Sequence, residues 1–489
     1  MNFIRKFLLA LVAACCIFSV VLTVRTLGFS TRQINVRPLE PIALDRESII
    51  GRLSAAIRYK TISYQEPAGT SVAELLKFHA FLKKSFPLTH ATLPKSVVGE
   101  FSLLYRWQGR NHSLKPLLLM AHMDVVPVDP ATESLWTHPP FAGHIADGYI
   151  WGRGAMDDKV GVLGILEAVE YLLASGFQPQ RTLYLAFGHD EETGGLNGAA
   201  KIAALLRGQQ VEFEYILDEG GNITNAIVPG ISSPLALIGI AEKGYVSLEL
   251  AVESPGGHTS IPPRQTAIGV LSSAIHRLAL NPFPARLSEA TRRLLEFAGP
   301  EMSWPNRMLL ANLWLFEPLV KHQMARSNLT DATIRTTQAA TIFQAGVRDN
   351  VLPVKATAVL NLRVLSGDSL SAAVAHVRSV VNDPRVKLTP LPGHTEPSPI
   401  SEVESSGFTH IARTIRQIYS DTLVAPSLMV AATDAKHFVP LTKNIYRFLP
   451  ITLGAEDAKR YHGIDERVAV KDYEQAVRFY IQLIRNANT

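Results

Sequence analysis

The chain has 489 residues, 47% of them apolar and 19% charged, which supplies a packed core and excludes a disordered chain. At roughly 150 residues per domain, two or three domains are expected. Lys and Arg outnumber Asp and Glu by 48 to 43, and the basic residues are scattered, so the chain is not expected to bind nucleic acid.

The first element is an apolar run, Phe7 to Val24, preceded by Arg5 and Lys6 and ended by Arg25. A basic start before an apolar run is a targeting pattern. The run is about as long as the ~20 residues that cross a bilayer. No small-x-small site follows it, which favours an uncleaved signal anchor over a cleaved signal peptide. The string Val12-Ala13-Ala14-Cys15 resembles a lipoprotein box, but the apolar run continues for nine residues past Cys15. The folded part is therefore expected outside the cytoplasm (periplasm, lumen or secreted fluid), membrane-anchored by residues 7–24. Both cysteines, Cys15 and Cys16, lie in this run. The folded part then has no disulfide, no thiolate zinc site and no cysteine nucleophile, and any metal must be held by His, Asp and Glu.

After a linker, apolar residues at helical spacing predict helices over Ile49–Tyr59, Ser71–Ser85 and Gly161–Ser175. Continuous apolar runs predict buried strands at Leu117–His122, Thr182–Gly188 and from Tyr215 to Leu217. This alternation predicts an α/β fold, a largely parallel sheet flanked by helices. From about Lys243 the text changes. Tyr245–Val252 alternates as a half-buried strand, with further strands at Thr341–Ala345, Lys355–Val364 and Val386–Leu391. Helices are expected at Ala267–Leu280 and Ser369–Val381, making a smaller α+β unit inserted in the first. Asn281 to Thr330 reads as an irregular helical elaboration. After Ser401 the alternation returns and ends in a helix, Lys471–Asn486.

Five polar clusters punctuate this pattern, three of them at strand ends. They are His122-Met123-Asp124, Gly152 to Lys159 with Asp157, His189 to Gly195 with Glu191 and Glu192, Asp218-Glu219-Gly220-Gly221, and Tyr461 to Glu466 with His462. Singly each has an ordinary explanation. A lone histidine is more often a satisfied core residue, an Asp before a helix is a cap, and adjacent Glu residues are often a solvated pair. Residues i and i+2 of a strand share a side, so an imidazole at His122 can bind a metal while the carboxylate at Asp124 orients it. Together, hard oxygen donors and imidazoles without thiolates suit a hydrolytic divalent metal site.

With these clusters on the page, the chain resembles the zinc-dependent family that includes aminoacylase-1, glutamate carboxypeptidase and the Gly-X carboxypeptidase of yeast vacuoles. The resemblance runs from about Ile49 to the C-terminus. It is strongest toward a secreted N-fatty-acyl-amino acid synthase/hydrolase branch, through the strings AHMDVVPV, GHDEETGG, LWLFEPL, IRTTQAATIFQAGV and IYRFLP. It implies a dizinc exopeptidase-like catalytic domain over 46–242 and 398–489, an inserted lid over 243–397, a linker over 26–45 and a signal anchor or signal peptide over 1–25. It implies two divalent metal ions, expected to be zinc, with His122 and Asp218 on one, Glu192 and His462 on the other, and Asp157 bridging. It makes Glu191 the general base and Asp124 the residue that orients His122. In the lid, Gly256-Gly257-His258-Thr259-Ser260 matches the motif whose histidine holds the oxyanion. Asn350 and Arg363 match residues that meet the substrate carboxylate. In some members the lid histidine comes from a partner subunit, so a homodimer stays open. One departure is Ala431-Ala432-Thr433-Asp434, where many relatives carry Gly or Asn before Thr-Asp. That loop, with Thr433, approaches the substrate, so the change bears on substrate choice. The expected function is hydrolysis, and reversibly synthesis, of N-acyl amino acids, with fatty acyl chains favoured. The alternative is a carboxypeptidase or dipeptidase acting on short peptides.

Overall fold

The computed structural model describes residues 2–64, 71–225, 230–454 and 456–488. Strands Leu117–His122, Leu183–Gly188 and Tyr215–Asp218 are buried along their whole lengths. A strand covered on both faces has no polar side to alternate with, which is why these segments are continuously apolar. They form the centre of a ten-stranded mixed sheet. Leu183–Gly188, Leu117–His122, Tyr215–Asp218 and Ile445–Arg447 run parallel to one another in that order. One edge is antiparallel, through Ser102–Trp107 and Lys95–Val98. The other flank is Leu235–Glu242, parallel to Leu423–Met429. Helices Lys159–Ala174 and Val470–Asn486 pack on each other against one face, within a core that includes Leu119, Leu163, Phe187, Val477 and Ile481. Each fully buried Leu or Ile there contributes about 1.5–3 kcal/mol by leaving water.

The inserted domain is a four-stranded antiparallel sheet in the order Thr337–Ala345, Lys355–Val364, Gly244–Glu253, Lys387–Pro390. Helices Ala267–Leu280 and Leu370–Val381 supply one side of its separate core, among Leu248, Leu271, Leu360 and Val377. Lys355–Val364 alternates buried and part-exposed along its length, so a period of two is legible there. Strand Thr337–Ala345 begins four residues earlier than the sequence pattern predicts and is mostly exposed. The elaboration is four helices, Glu289–Ala298, Trp304–Ala311, Leu313–Met324 and Asn328–Asp331. The first packs on Leu423–Met429, and Ala290, Phe297 and Ala298 join the core of the large sheet.

A 27-residue helix, Asn2–Gly28, precedes everything else. Its stretch Phe3–Gly28 is long and apolar enough to cross a membrane, and its most apolar part is exposed, although Thr26 near its end is buried. It is compatible with a signal peptide or an anchor.

Candidate metal centre

Three ends of parallel strands deliver the polar clusters to one place, because the carboxyl edge of such a sheet faces a crevice rather than a packed layer. His122 ends its strand buried, and its Nδ1 lies 3.0 Å from the Asp124 carbonyl oxygen and 3.4 Å from the Asp124 carboxylate. The contact turns the other ring nitrogen outward, and Nε2 lies 2.8 Å from Asp157 Oδ1. The second Asp157 oxygen lies 3.1 Å from His462 Nε2, which is also 3.1 Å from Glu192 Oε2. Asp157 is thus held between two imidazoles from opposite ends of the sequence. His122, Asp157 and Glu192 each offer a ligand atom, all within 4.8 Å of one another.

Asp124 does more than face His122. Its carboxylate accepts the backbone N–H of Glu191 at 3.2 Å and of Glu192 at 3.1 Å, and the Ser63 hydroxyl at 2.6 Å. One buried carboxylate therefore fixes the first histidine and the turn carrying both glutamates. Asp218 is buried at the end of its strand, where Oδ2 accepts the Ala435 N–H at 3.0 Å and Oδ1 the Glu219 N–H at 3.0 Å. The Thr433 side chain also hydrogen-bonds to it, and it is outside the direct contact that joins His122, Asp157, His462 and Glu192.

The electrostatics are those of excess buried carboxylate. Burial raises Glu191, Glu219 and Asp434 well above the usual carboxylate range, and neighbouring acids raise them further: Asp157, Asp158, Asp218 and Glu191 in the case of Glu219. Asp157 goes the other way. Burial pushes it up, but hydrogen bonds from His122 and His462 overcome that and hold it low. The same contacts raise His462 to about 10, through Asp157 first and Glu192 second. Glu192 Oε1 is buried and has no hydrogen-bond partner among the described residues. Crowded carboxylates, two imidazoles and an orphaned carboxylate oxygen are a donor set that divalent cations satisfy, with release of the shared protons.

Four residues that sequence reasoning gave no role hold this arrangement. Glu466 is fully buried, and its Oε1 accepts the N–H of Met156 at 2.8 Å and of Asp157 at 3.2 Å. Its other oxygen takes Arg153 Nη1 at 2.5 Å, and Arg153 Nη2 donates to the carbonyls of His462 and Gly463 at 3.1 and 3.2 Å. This ion pair ties the Asp157 turn to the His462 loop. His462 itself has φ +56°, a conformation few non-glycine residues adopt, and a Cβ on the next residue, Gly463, would fall 2.2 Å from the Lys459 carbonyl. On the far flank, buried Glu242 accepts the Thr433 N–H at 2.9 Å and its hydroxyl at 2.8 Å, and lies 3.1 Å from Arg447. The Thr433 hydroxyl is thus turned toward Glu242. Both acids lay inside or beside strings singled out in the sequence, but only the fold pairs them with arginines.

The predicted residues of the inserted domain lie apart from this cluster and at two ends of its sheet. His258 is exposed on a two-residue strand, Gly257–His258, that pairs with Val351–Leu352, which puts Asn350 next to it in register. Its Nδ1 lies 2.7 Å from the Ser260 hydroxyl. Arg363 stacks over the Tyr245 ring, 4.9 Å from the centroid, and has no carboxylate at ion-pair distance among the described residues. None of the three bonds to the metal-ligand candidates.

Residues 118–486 match peptidase family M20/M25/M40. Probable carboxypeptidase S-like 2 of Dictyostelium discoideum is 46% identical over 475 residues, 95% of this chain and 91% of that protein. The N-fatty-acyl-amino acid synthase/hydrolase PM20D1 of Xenopus tropicalis is 40% identical over 449 residues, 91% of this chain and 87% of its own. The crystal structure of the M20 family metallo-carboxypeptidase Sso-CP2 from Sulfolobus solfataricus shares the fold, with TM-score 0.67 at 17% identity, covering 89% of this chain and 98% of that one. The chain belongs to peptidase family M20/M25/M40 and is a metal-dependent hydrolase of linear amides or peptides, with small molecules as substrates.

Proposed function

We propose that the chain is a dizinc amidohydrolase that cleaves, and in reverse forms, the amide bond of N-fatty-acyl amino acids outside the cytoplasm. The observation that carries this is Asp157 held between His122 and His462, with Glu192 on the second histidine. His122 and Asp218 would hold one zinc, Glu192 and His462 the other, and Asp157 would bridge them. When bound, the ions supply a Lewis acid for the scissile carbonyl and lower the pKa of the attacking water.

Glu191 stands beside the ligand Glu192 and is the base that takes the water's proton and returns it to the leaving amine. Burial raises Glu191, and divalent cations held by its neighbours would bring it back toward the ionised form a base needs. His258 donates to the oxyanion after the inserted domain closes, which also excludes water. The guanidinium of Arg363, with no carboxylate partner among the described residues, suits a free carboxylate on the amine side, while Asn350 lies toward the opposite end of the same domain's sheet, beside His258. Thr433 shapes the loop opposite through Glu242. Residues 243–397 would act as the lid on a body made of 46–242 and 398–489.

Similarity to the N-fatty-acyl-amino acid synthase/hydrolases supports a lipid acyl side. The carboxypeptidase S-like relative, at 46% identity, favours a second reading in which the substrate is a short peptide. Purified chain incubated with N-oleoyl amino acids and with dipeptides of the same C-terminal residue separates them. The proposal expects faster release of oleate, whereas dipeptide cleavage faster by orders of magnitude would reject it.

A further inference from the structure

The leader helix is not free of the folded body. Phe18 meets Trp314 edge-on, with ring centroids 6.3 Å apart. Asn312 is buried, and its Nδ2 donates to the Leu22 carbonyl at 3.3 Å and the Thr26 hydroxyl at 3.4 Å. Arg307 donates to the Phe29 carbonyl at 2.6 Å just beyond the helix end. The elaboration is thus fastened along the C-terminal half of the leader helix and just past its end by ring, amide and guanidinium contacts.

The same helices turn apolar side chains outward. Trp304 is 47% exposed, Trp314 59%, Leu315 38% and Leu319 50%. Their charges are partnered: Glu317 pairs with Arg292 and Lys321, and Arg307 holds the Phe29 carbonyl. A surface helix that pairs its charges and shows tryptophan and leucine is unusual for a water-facing helix. It suits the boundary of a bilayer, where tryptophan concentrates.

The leader helix fixes the depth. Its apolar run ends at Arg25, a residue that stays at the membrane–water boundary. Phe18, the ring on Trp314, precedes Arg25 by seven residues. At 1.5 Å per residue that is about 10 Å below the boundary. Interfacial helices bury their apolar faces by about 5–10 Å. For a helix along the bilayer normal, the ring contact falls at the deep limit of that range.

We propose that Trp304, Trp314, Leu315 and Leu319 form a membrane-docking face, seated in the outer layer of the bilayer that the leader helix enters. The proposal rests on reading residues 7–24 as an uncleaved anchor, and it extends the N-fatty-acyl reading by giving the lipid substrate a source. The enzyme then lies on the membrane in which long-chain N-acyl amino acids partition, with a lipid-facing platform continuous with its anchor.

The chain's five tryptophans make the test direct, because Trp107, Trp136 and Trp151 are buried. The full chain is reconstituted in phosphatidylcholine vesicles with brominated acyl chains, which quench tryptophan on contact. After an alkaline carbonate wash, flotation reports whether the leader helix anchors the chain. The proposal expects strong quenching in the wild type and loss of at least half of it in a Trp304→Phe, Trp314→Phe double variant that floats equally well. A chain that floats but is not quenched, or a double variant quenched as much as the wild type, overturns the docking face and leaves the anchor standing. A chain that does not float overturns both. If the face is instead covered by a second copy of the chain, the floating protein is unquenched and a photo-cross-linking residue placed at position 314 traps a dimer, which also overturns the proposal.

Discussion

The metal-ligand cluster and the lid carry the proposed chemistry in opposite ways. His122, Asp157, Glu192 and His462 touch one another directly, and buried carboxylates behind them accept backbone N–H groups that fix each turn. His258 and Asn350 stand at an exposed edge, and Arg363 has a ring beneath it but no anionic partner among the described residues. A cluster of buried carboxylates cannot be assembled on demand, since each unpaired charge in low dielectric is costly. Groups that act only on the bound substrate must stay uncommitted until it arrives. The cluster is therefore built into the fold, and the lid residues are presented by a domain with its own core.

This contrast can be broken at several points. The largest effect is expected at Glu191. Replacing it with Gln should lower kcat by ~10²–10⁴-fold, the usual worth of a general base, while metal content stays unchanged. Steady-state kinetics with metal analysis checks both halves. Next is Glu466→Gln, which leaves Arg153 buried without its partner. Breaking a buried pair costs about 3–5 kcal/mol, so thermal unfolding should move sharply and metal binding weaken together. A variant with normal stability and metal content would mean that the Arg153–Glu466 tie holds nothing.

On the lid side, His258→Ala should reduce kcat by ~10²–10³-fold, as loss of one oxyanion donor does, with stability and metal content intact. Arg363→Ala should act mainly on KM, by ~10–100-fold, the worth of hydrogen bonds to a charged group. Esterifying the substrate carboxylate should then cost the variant little. The smallest effect concerns the large domain alone. His79, half-buried on helix Val72–Ser85, has its pKa lowered to about 4, chiefly by burial. Between pH 4 and 6.5 the unfolded chain binds more protons there than the folded one, so this contribution is complete above 6.5 and is lost as pH falls through 4. Urea midpoints from pH 7 to 4.5 should fall less steeply in His79→Asn than in the wild type.

The sequence made the buried layers plain and the edges obscure. Leu117–His122 and Leu183–Gly188 read as strands because both faces are covered and nothing polar interrupts them. Lys95–Val98, an exposed edge strand, gives no such run, and Leu235–Glu242, apolar through most of its length, is defined as a strand only by its neighbours in the sheet. Register and partnering, rather than composition, make these segments strands. The ligand candidates were legible because strand ends concentrate them. The supports were not. Arg153 and Glu466 lie 313 residues apart, and Glu242 and Arg447 pair across neighbouring strands, so only the closed fold shows that they are partners. The elaboration read as irregular helix, and its contact with the leader helix has no trace in either segment alone.

The most direct test of the central contrast is metal content per chain, by inductively coupled plasma mass spectrometry, in Asp157→Asn, His258→Ala and Arg363→Ala beside the wild type. The account predicts two zinc ions per chain in the wild type and both lid variants, which nonetheless lose turnover or substrate affinity, and fewer than two in Asp157→Asn. Two ions retained with full turnover in Asp157→Asn, or metal lost from the lid variants, would contradict it.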